Sequence, residues 1–202
     1  MWIMIYKFSA SDLVKRSACQ IKYLLSNKLD IKASEKQIQG LNHQSKLGNE
    51  LNAKQEYRGV YQNDNIIIYY CNDLVLNDKI IEVKNVEGKV EDWYFQSSIL
   101  QTAFYKSLIL NSDGVLETPQ FRVNQGYKHE VIHININLPY YLYFGDEKYL
   151  ITVKEPKYII DFFYNKAKLT ITKSYDYLRL YDSKNRYNQF ALLRECFSYK
   201  KI

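Results

Sequence analysis

The chain has 202 residues, 47% of them hydrophobic and 25% charged, with a mass of 24.1 kDa. This is globular composition, enough for one domain or one domain with an appendage, and it excludes disorder along the whole chain. The longest purely apolar runs are about five residues, as in 66–70, far short of the ~20 that a membrane helix needs.

The net charge is +6, with an isoelectric point near 9.0, which raises the expectation of an anionic partner. Residues 1–153 carry 17 Lys/Arg and 17 Asp/Glu, whereas residues 154–202 carry 11 and 5. The whole excess therefore lies in the C-terminal quarter. Residues 1–6 are apolar but too short for a secretory core, and the three cysteines are odd in number and widely spaced. A cytoplasmic protein is the expectation. No CxxC pair, GxGxxG or GxxxxGK[ST] loop occurs, and no internal repeat.

In chain order, Ser9-Ala-Ser-Asp12 precedes an apolar-periodic stretch and predicts a capped helix over 13–25, with Leu13, Ile21, Leu24 and Leu25 inward. A second helical pattern covers 34–54, with Ile38, Leu41, Leu47 and Leu51; Gly40 and Gly48 weaken it by ~1 kcal/mol each. From Tyr57 the pattern changes to strand. Residues 66–70, 74–76 and 80–83 are β-branched and aromatic, and Asn77-Asp-Lys79 between the last two predicts a hairpin turn. Residues 91–110 return to helical periodicity, with Leu100, Phe104 and Leu108 in register, and Asn111-Ser-Asp-Gly114 stops the helix. Residues 121–123, 131–138 and 149–153 predict strands, the last entered through Gly145-Asp146; after Pro156 the chain is expected to be mostly helical. The order α, α, hairpin, α, β, β, α predicts a mixed α/β domain around one sheet.

The hairpin carries the most chemistry. Alternate strand residues share a face, so Glu82 and Lys84 point one way and Val83 the other, with Asp73 on the preceding strand opposite Glu82. Two carboxylates and a lysine at a sheet edge suit a hard divalent cation such as Mg²⁺. Such an ion polarises a phosphate and lowers the pKa of an attacking water, while a lysine orients that water or stabilises developing negative charge. A hairpin with polar residues on a solvated face would show the same three residue types by chance.

Asp73…Glu82-Val83-Lys84 resembles the D…(D/E)xK signature of the PD-(D/E)XK nuclease superfamily. Gln101-Thr-Ala-Phe-Tyr105 resembles the QxxxY motif of its RecB-like and Cas4-like branch, and the stretch from Ser9 to Cys19 is similar to the opening of those proteins. The resemblance implies a restriction-endonuclease-like mixed β-sheet flanked by helices. It implies that Asp73, Glu82 and the Val83 carbonyl bind Mg²⁺ or Mn²⁺, that Lys84 is catalytic, and that Gln101 and Tyr105 line the site. His43 resembles the upstream histidine that binds metal in this branch; a rival alignment through Gly48-Asn-Glu-Leu-Asn52 puts Asn52 there, and Glu50 lies two helical turns beyond His43. Cas4 proteins hold an iron–sulfur cluster on four cysteines; Cys19, Cys71 and Cys196 cannot supply it, and no cluster is expected.

A rival motif, His129-Glu-Val-Ile-His133, matches the HExxH of zinc peptidases. That chemistry needs a helix, whereas Ile134-Asn-Ile-Asn-Leu138 beside it reads as strand. Residues 154–202 interleave 11 basic with 11 aromatic residues, which suits a nucleic-acid surface; Lys166, Lys168, Lys173 and Arg179 are its candidate contacts.

The expectation is a nuclease core over 1–153 and a basic, aromatic-rich, mostly helical extension over 154–202. The expected activity is metal-dependent DNA hydrolysis, exonucleolytic or end-trimming. The partners expected are single- or double-stranded DNA, with a helicase, an integrase or further copies of the chain as possible company and no membrane. A zinc peptidase and a non-catalytic nucleic-acid-binding protein are the alternatives.

Overall fold

The computed structural model describes residues 6–18, 34–63, 65–86, 88, 90–172 and 183–202, with side chains for all of these but 16–18, 166–172 and 183–187. Their order is β1 (Tyr6–Ser9), α1 (Ala10–Ala18), α2 (Glu35–Glu50), β2 (Lys54–Asn63), β3 (Ile66–Val75), β4 (Ile80–Lys84), α3 (Asp92–Leu110), β5 (Val115–Glu117), α4 (Gln120–Val123), β6 (Val131–His133), β7 (Tyr140–Phe144), β8 (Glu147–Val153), α5 (Pro156–Thr172), α6 (Ser183–Leu193) and β9 (Phe197–Lys201). The strands form one mixed sheet of nine, in the order β6-β5-β2-β3-β4-β7-β8-β9, with β1 also on β3. The fold is α/β, with helices flanking the sheet.

β3 is the hub. Nine of its ten residues, all but Asp73, pair along one edge with β2, antiparallel. The other edge is shared: β1 runs parallel to Ile66–Tyr69, and β4 pairs antiparallel only at Leu74 and Val75. Tyr70 to Asp73 therefore face a gap between β1 and β4. β4 leaves β3 there while it stays paired in parallel with β7 along its whole length.

Two apolar clusters cover the sheet. The main one joins Ile66, Ile68, Tyr70, Val75 and Ile80 to α3, and extends to Ile159, Phe163 and Leu193 of α5 and α6. Phe104 and Phe163 stack with centroids 4.4 Å apart. The second joins Leu74, Ile81 and Val83 to Leu47 of α2 and to its C-cap, Leu51. Adjacent strand residues point to opposite faces, so α2 covers the side that Ile81 and Val83 face, and α3 the side that Glu82 faces. α2 starts in a capping box: Ser34 Oγ accepts from Gln37 N, and Gln37 Oε1 accepts from Ser34 N. Such a cap is worth about 1 kcal/mol.

Several expected elements differ. α1 is described to Ala18, so the expected helical residues Ile21, Leu24 and Leu25 lie outside the described residues. α2 ends at Glu50, and Lys54 already begins a strand. Ile38 and Leu41, two of the apolar residues of its helical pattern, are 49% and 54% exposed. Residues 66–70 and 74–75 belong to one strand, since the polar Asn72 is satisfied by Tyr57 O and Tyr140 Oη; the strand ends before Leu76. Residues 121–123 are not a strand but part of α4, entered from Pro119, whose fixed φ suits a helix start; the strand there is β5. Tyr140–Phe144 is a strand that lacks polar alternation because both faces are covered: Tyr140, Leu142 and Phe144 lie in the main cluster, and Tyr141 and Tyr143 pack on the second. Residues 197–201, expected helical, form β9, the sheet's last strand.

The expected strand over 131–138 stops at His133. Ile134, Ile136 and Leu138 still pack on the core, which explains their alternation. Their backbone bonds go elsewhere: the carbonyls of Ile136 and Leu138 accept from Lys106 Nζ at 2.7 and 2.8 Å. Lys106 is buried on α3, and burial lowers its pKa to about 8.

Candidate active site

The gap between β1 and β4 holds the candidate site. Ile80 N donates to Pro139 O, and Lys84 O accepts from Gly145 N, so these residues turn their backbone groups toward β7. Ile81 and Val83, between them, turn theirs toward β3. Beyond Leu74 that edge of β3 has moved away, and a side chain completes the pairing: Asp73 Oδ2 accepts from Val83 N at 2.8 Å. On an extended strand a residue's N–H and C=O point to the same side, so the Val83 carbonyl also faces the gap.

Glu82 is 2% exposed. Its Oε1 accepts from Lys84 Nζ at 2.6 Å and from Gln101 Nε2 at 3.1 Å. Its Oε2 is buried with no hydrogen-bond partner among the described residues. Leaving a buried carboxylate oxygen bare costs about 1–3 kcal/mol or more, so its position calls for a cation or a donor.

The electrostatics agree. Burial, and then the Glu82 charge, push the Asp73 carboxyl up to about 8. Burial opposes the charged form of Lys84, but Glu82 and Asp73 carry its pKa above the ordinary lysine value. Lys84 is therefore a cation and a hydrogen-bond donor. Tyr105 is raised well above the ordinary phenol range, by burial first and then by the two carboxylates, so it keeps its proton. Burial and Asp73 push the Cys71 thiol up to about 12; it is half-buried in the cavity wall.

Asp73, Glu82, Lys84, Gln101 and Tyr105 thus line one cavity of about 530 Å³. Ser9, Ser11, Glu56, Arg58, Tyr69 and Phe121 line it too, and sequence reasoning missed their place there. Ser9 and Ser11 arrive because β1 runs straight into α1 beside the gap. Glu56 and Asp73 are the one pair missing from the β2–β3 ladder. Glu56 has φ +57, a left-handed conformation costing a non-glycine residue roughly 1–2 kcal/mol. There the strand alternation changes phase: even-numbered Ile66, Ile68 and Tyr70 are in the main core, but so is odd-numbered Val75. A carboxylate at position 73 is thereby turned into the gap. The sequence holds no signal for such a kink, because glutamate is not a residue of left-handed turns. Arg58 lies over the Tyr69 ring, 5.3 Å from its centroid, and bonds Glu117.

The upstream position is different. His43 is exposed on α2 and does not line this cavity. Glu50 is exposed beside Lys46 at 4.0 Å. Asn52 takes φ +50 in the turn that closes α2, where Ala53 N donates to Gly48 O; this is a helix-capping role. What α2 contributes is Gln44 Nε2, 3.5 Å from Asp73 O.

Among the described residues no three His, Cys, Asp or Glu side chains gather as a metal site. A magnesium ion needs fewer, being commonly held by one or two carboxylates with waters and phosphate. Asp73, the bare Glu82 Oε2 and the Val83 carbonyl make an all-oxygen donor set that fits Mg²⁺ or Mn²⁺.

The HExxH residues form no such site. Val131–His133 is a strand, which cannot bring His129 and His133 to one helical face. Glu130 Oε2 accepts from Tyr57 Oη at 2.6 Å and from Lys54 Nζ. His129 Nε2 lies 3.7 Å from Glu117. The side chains of Lys166, Lys168, Lys173 and Arg179 lie outside the described residues, as does Cys19. No helix among the described residues is long and apolar enough to cross a membrane.

No family model matches the chain, and no curated protein does. A solved structure described as "Crystal structure of SSO0001" is similar at 18% identity and a TM-score of 0.43, over 86% of this chain and 78% of that one. Likeness at that level adds nothing to the reading of the site.

Proposed function

We propose that the chain is a divalent-metal-dependent DNA nuclease that hydrolyses phosphodiester bonds, acting as an exonuclease or end-trimming enzyme. The observation that carries this reading is the bare, buried Glu82 Oε2 beside Asp73, with a lysine on the other oxygen of the same carboxylate. The resemblance of Asp73…Glu82-Val83-Lys84 and Gln101…Tyr105 to the RecB-like pattern supports DNA as the substrate.

In this reading Asp73, Glu82 and the Val83 carbonyl hold Mg²⁺ or Mn²⁺. The bound ion supplies charge neutralisation at the scissile phosphate and a lowered pKa for the attacking water. Gln101 fixes Glu82 by donating to Oε1, which leaves Oε2 to the ion. Lys84, held cationic between the carboxylates, donates to the nucleophile or to the phosphate oxygen that gains charge. Tyr105 stays protonated and donates from the floor of the cavity. The two carboxylates and the lysine would be costly neighbours in a protein with no use for them, because each is desolvated.

The test uses end-labelled single- and double-stranded DNA with Mg²⁺, Mn²⁺ or EDTA. Wild type and Glu130→Ala should cut with metal and not with EDTA, while Lys84→Ala and Glu82→Ala should lose roughly 10²-fold or more in rate. Cleavage that survives both Lys84→Ala and Glu82→Ala overturns the proposal. DNA binding without cutting under any metal condition replaces it with the non-catalytic reading.

A further inference from the structure

We propose that Phe121 is a nucleobase platform at the candidate active site, which makes an unpaired strand end the preferred substrate. The inference rests on the nuclease reading of that site and goes beyond it, to the form of DNA the cavity accepts.

Phe121 lines the cavity that holds Asp73 and Glu82, yet half of it is exposed (50%) and it joins neither apolar cluster. A single exposed phenylalanine on an open surface means little. This one is held in place from both sides. Pro119 starts its turn of helix. The next residue, Arg122, sets Nη1 3.1 Å from Glu56 Oε2, and both side chains of that pair are largely covered (18% and 20% exposed). The Arg122 guanidinium also lies 3.7 Å above the Tyr127 ring centroid. Glu56 is the kinked residue across from Asp73, so the ring is tied to the strand position that aims the carboxylate.

Of the other rings lining the cavity, Tyr70 and Tyr105 are buried, and Tyr69 is covered on one face by Arg58. Phe121 has no such cover among the described residues. Aromatic rings take bases of any identity by stacking, and the phosphates of the same strand need cationic groups, which Arg58 and Lys84 supply in the same cavity. An interior base of a duplex has both faces occupied, and a terminal paired base is held by its partner; only an unpaired or frayed base can turn into the cavity. The cavity volume of about 530 Å³ is that of a small-ligand pocket, enough for a nucleotide.

The test separates binding from chemistry. Single-stranded oligonucleotides carrying 2-aminopurine at the 5′ or 3′ end are mixed with the full chain in EDTA. Stacking should quench the probe at one end. Phe121→Ala should abolish the quench and weaken single-strand binding by about 5- to 150-fold, with blunt duplex binding unchanged. Phe121→Trp should restore both. Quenching that persists in Phe121→Ala, or an equal loss on single strand and blunt duplex, overturns the proposal. Cleavage with Mg²⁺ but no quench at either end sinks the platform and leaves the nuclease reading standing. Quench that depends on Phe121, without cleavage in any metal, supports the platform and sinks the nuclease reading. Because Phe121 is half-exposed, a melting curve matching wild type checks that the variant is folded.

Discussion

Asp73 should make metal binding and stability respond to pH in opposite ways. Its carboxyl ionises at about 8, against ~3.9 in an unfolded chain, because burial and the Glu82 charge disfavour the anion. Between those values the metal-free folded protein keeps a proton that the unfolded chain releases. Stability in EDTA therefore falls as pH rises from about 4 to about 8 and then levels. A cation must displace that proton, so its apparent affinity rises over the same window. One proton with a pKa of about 8 makes binding about 50-fold weaker near pH 6 than near pH 8. Calorimetric titration with Mn²⁺ at several pH values measures this directly, and thermal melts with and without metal check the opposite slopes. Asp73→Asn should bind more weakly and lose the pH step. Glu82→Gln should shift the step to lower pH, since the neighbouring charge is gone. Affinity that is flat between pH 6 and 8 in wild type, or a step that survives Asp73→Asn, would refute this account of the site.

Two further perturbations test the scaffold. A Cβ at Gly59 would lie 2.3 Å from the Tyr70 ring, whose hydroxyl is fixed to Ser112, so Gly59→Ala should cost about 1–3 kcal/mol in urea unfolding. Lys106→Met should cost about 1–3 kcal/mol near neutral pH, by leaving the carbonyls of Ile136 and Leu138 bare. The Lys106 pKa of about 8 lies below the ordinary 10.5, so the folded state gives up its proton first. Relative to Lys106→Met, wild type should therefore gain stability as pH rises from about 8 to about 10.5, and parallel pH profiles would contradict the assigned burial.

Much of the frame is legible along the chain. The hairpin over Asp73 to Lys84 can be read because β-branched runs flank a short polar turn, and strand alternation alone puts Glu82 and Lys84 on one face with Val83 on the other. The helix over Asp92–Leu110 can be read because its apolar residues recur at one-turn spacing, which lines up Gln101 with Tyr105. Side-chain periodicity reports which residues are packed, however, and not where the backbone hydrogen bonds go. Residues 134–138 alternate like a strand because their apolar side chains meet the core, while Lys106 takes two of their carbonyls. Residues 140–144 show no alternation because both faces are covered.

The identity of the two carboxylates, the lysine and the glutamine is a property of the sequence, as is the chemistry those groups can do. Their convergence is a property of the tertiary structure. It needs β4 to part from β3 while staying on β7, and Glu56 to kink opposite Asp73. It also needs β1 to deliver Ser9 and Ser11 to the same gap, and α4 to bring Phe121 from some 48 residues beyond Asp73. The same packing leaves His43 exposed on α2, away from the cavity its spacing suggested. Local propensity is set by neighbours within a few residues. Desolvation of Glu82, and the raised Asp73 pKa that follows from burial, are set by which distant strands and helices close around them.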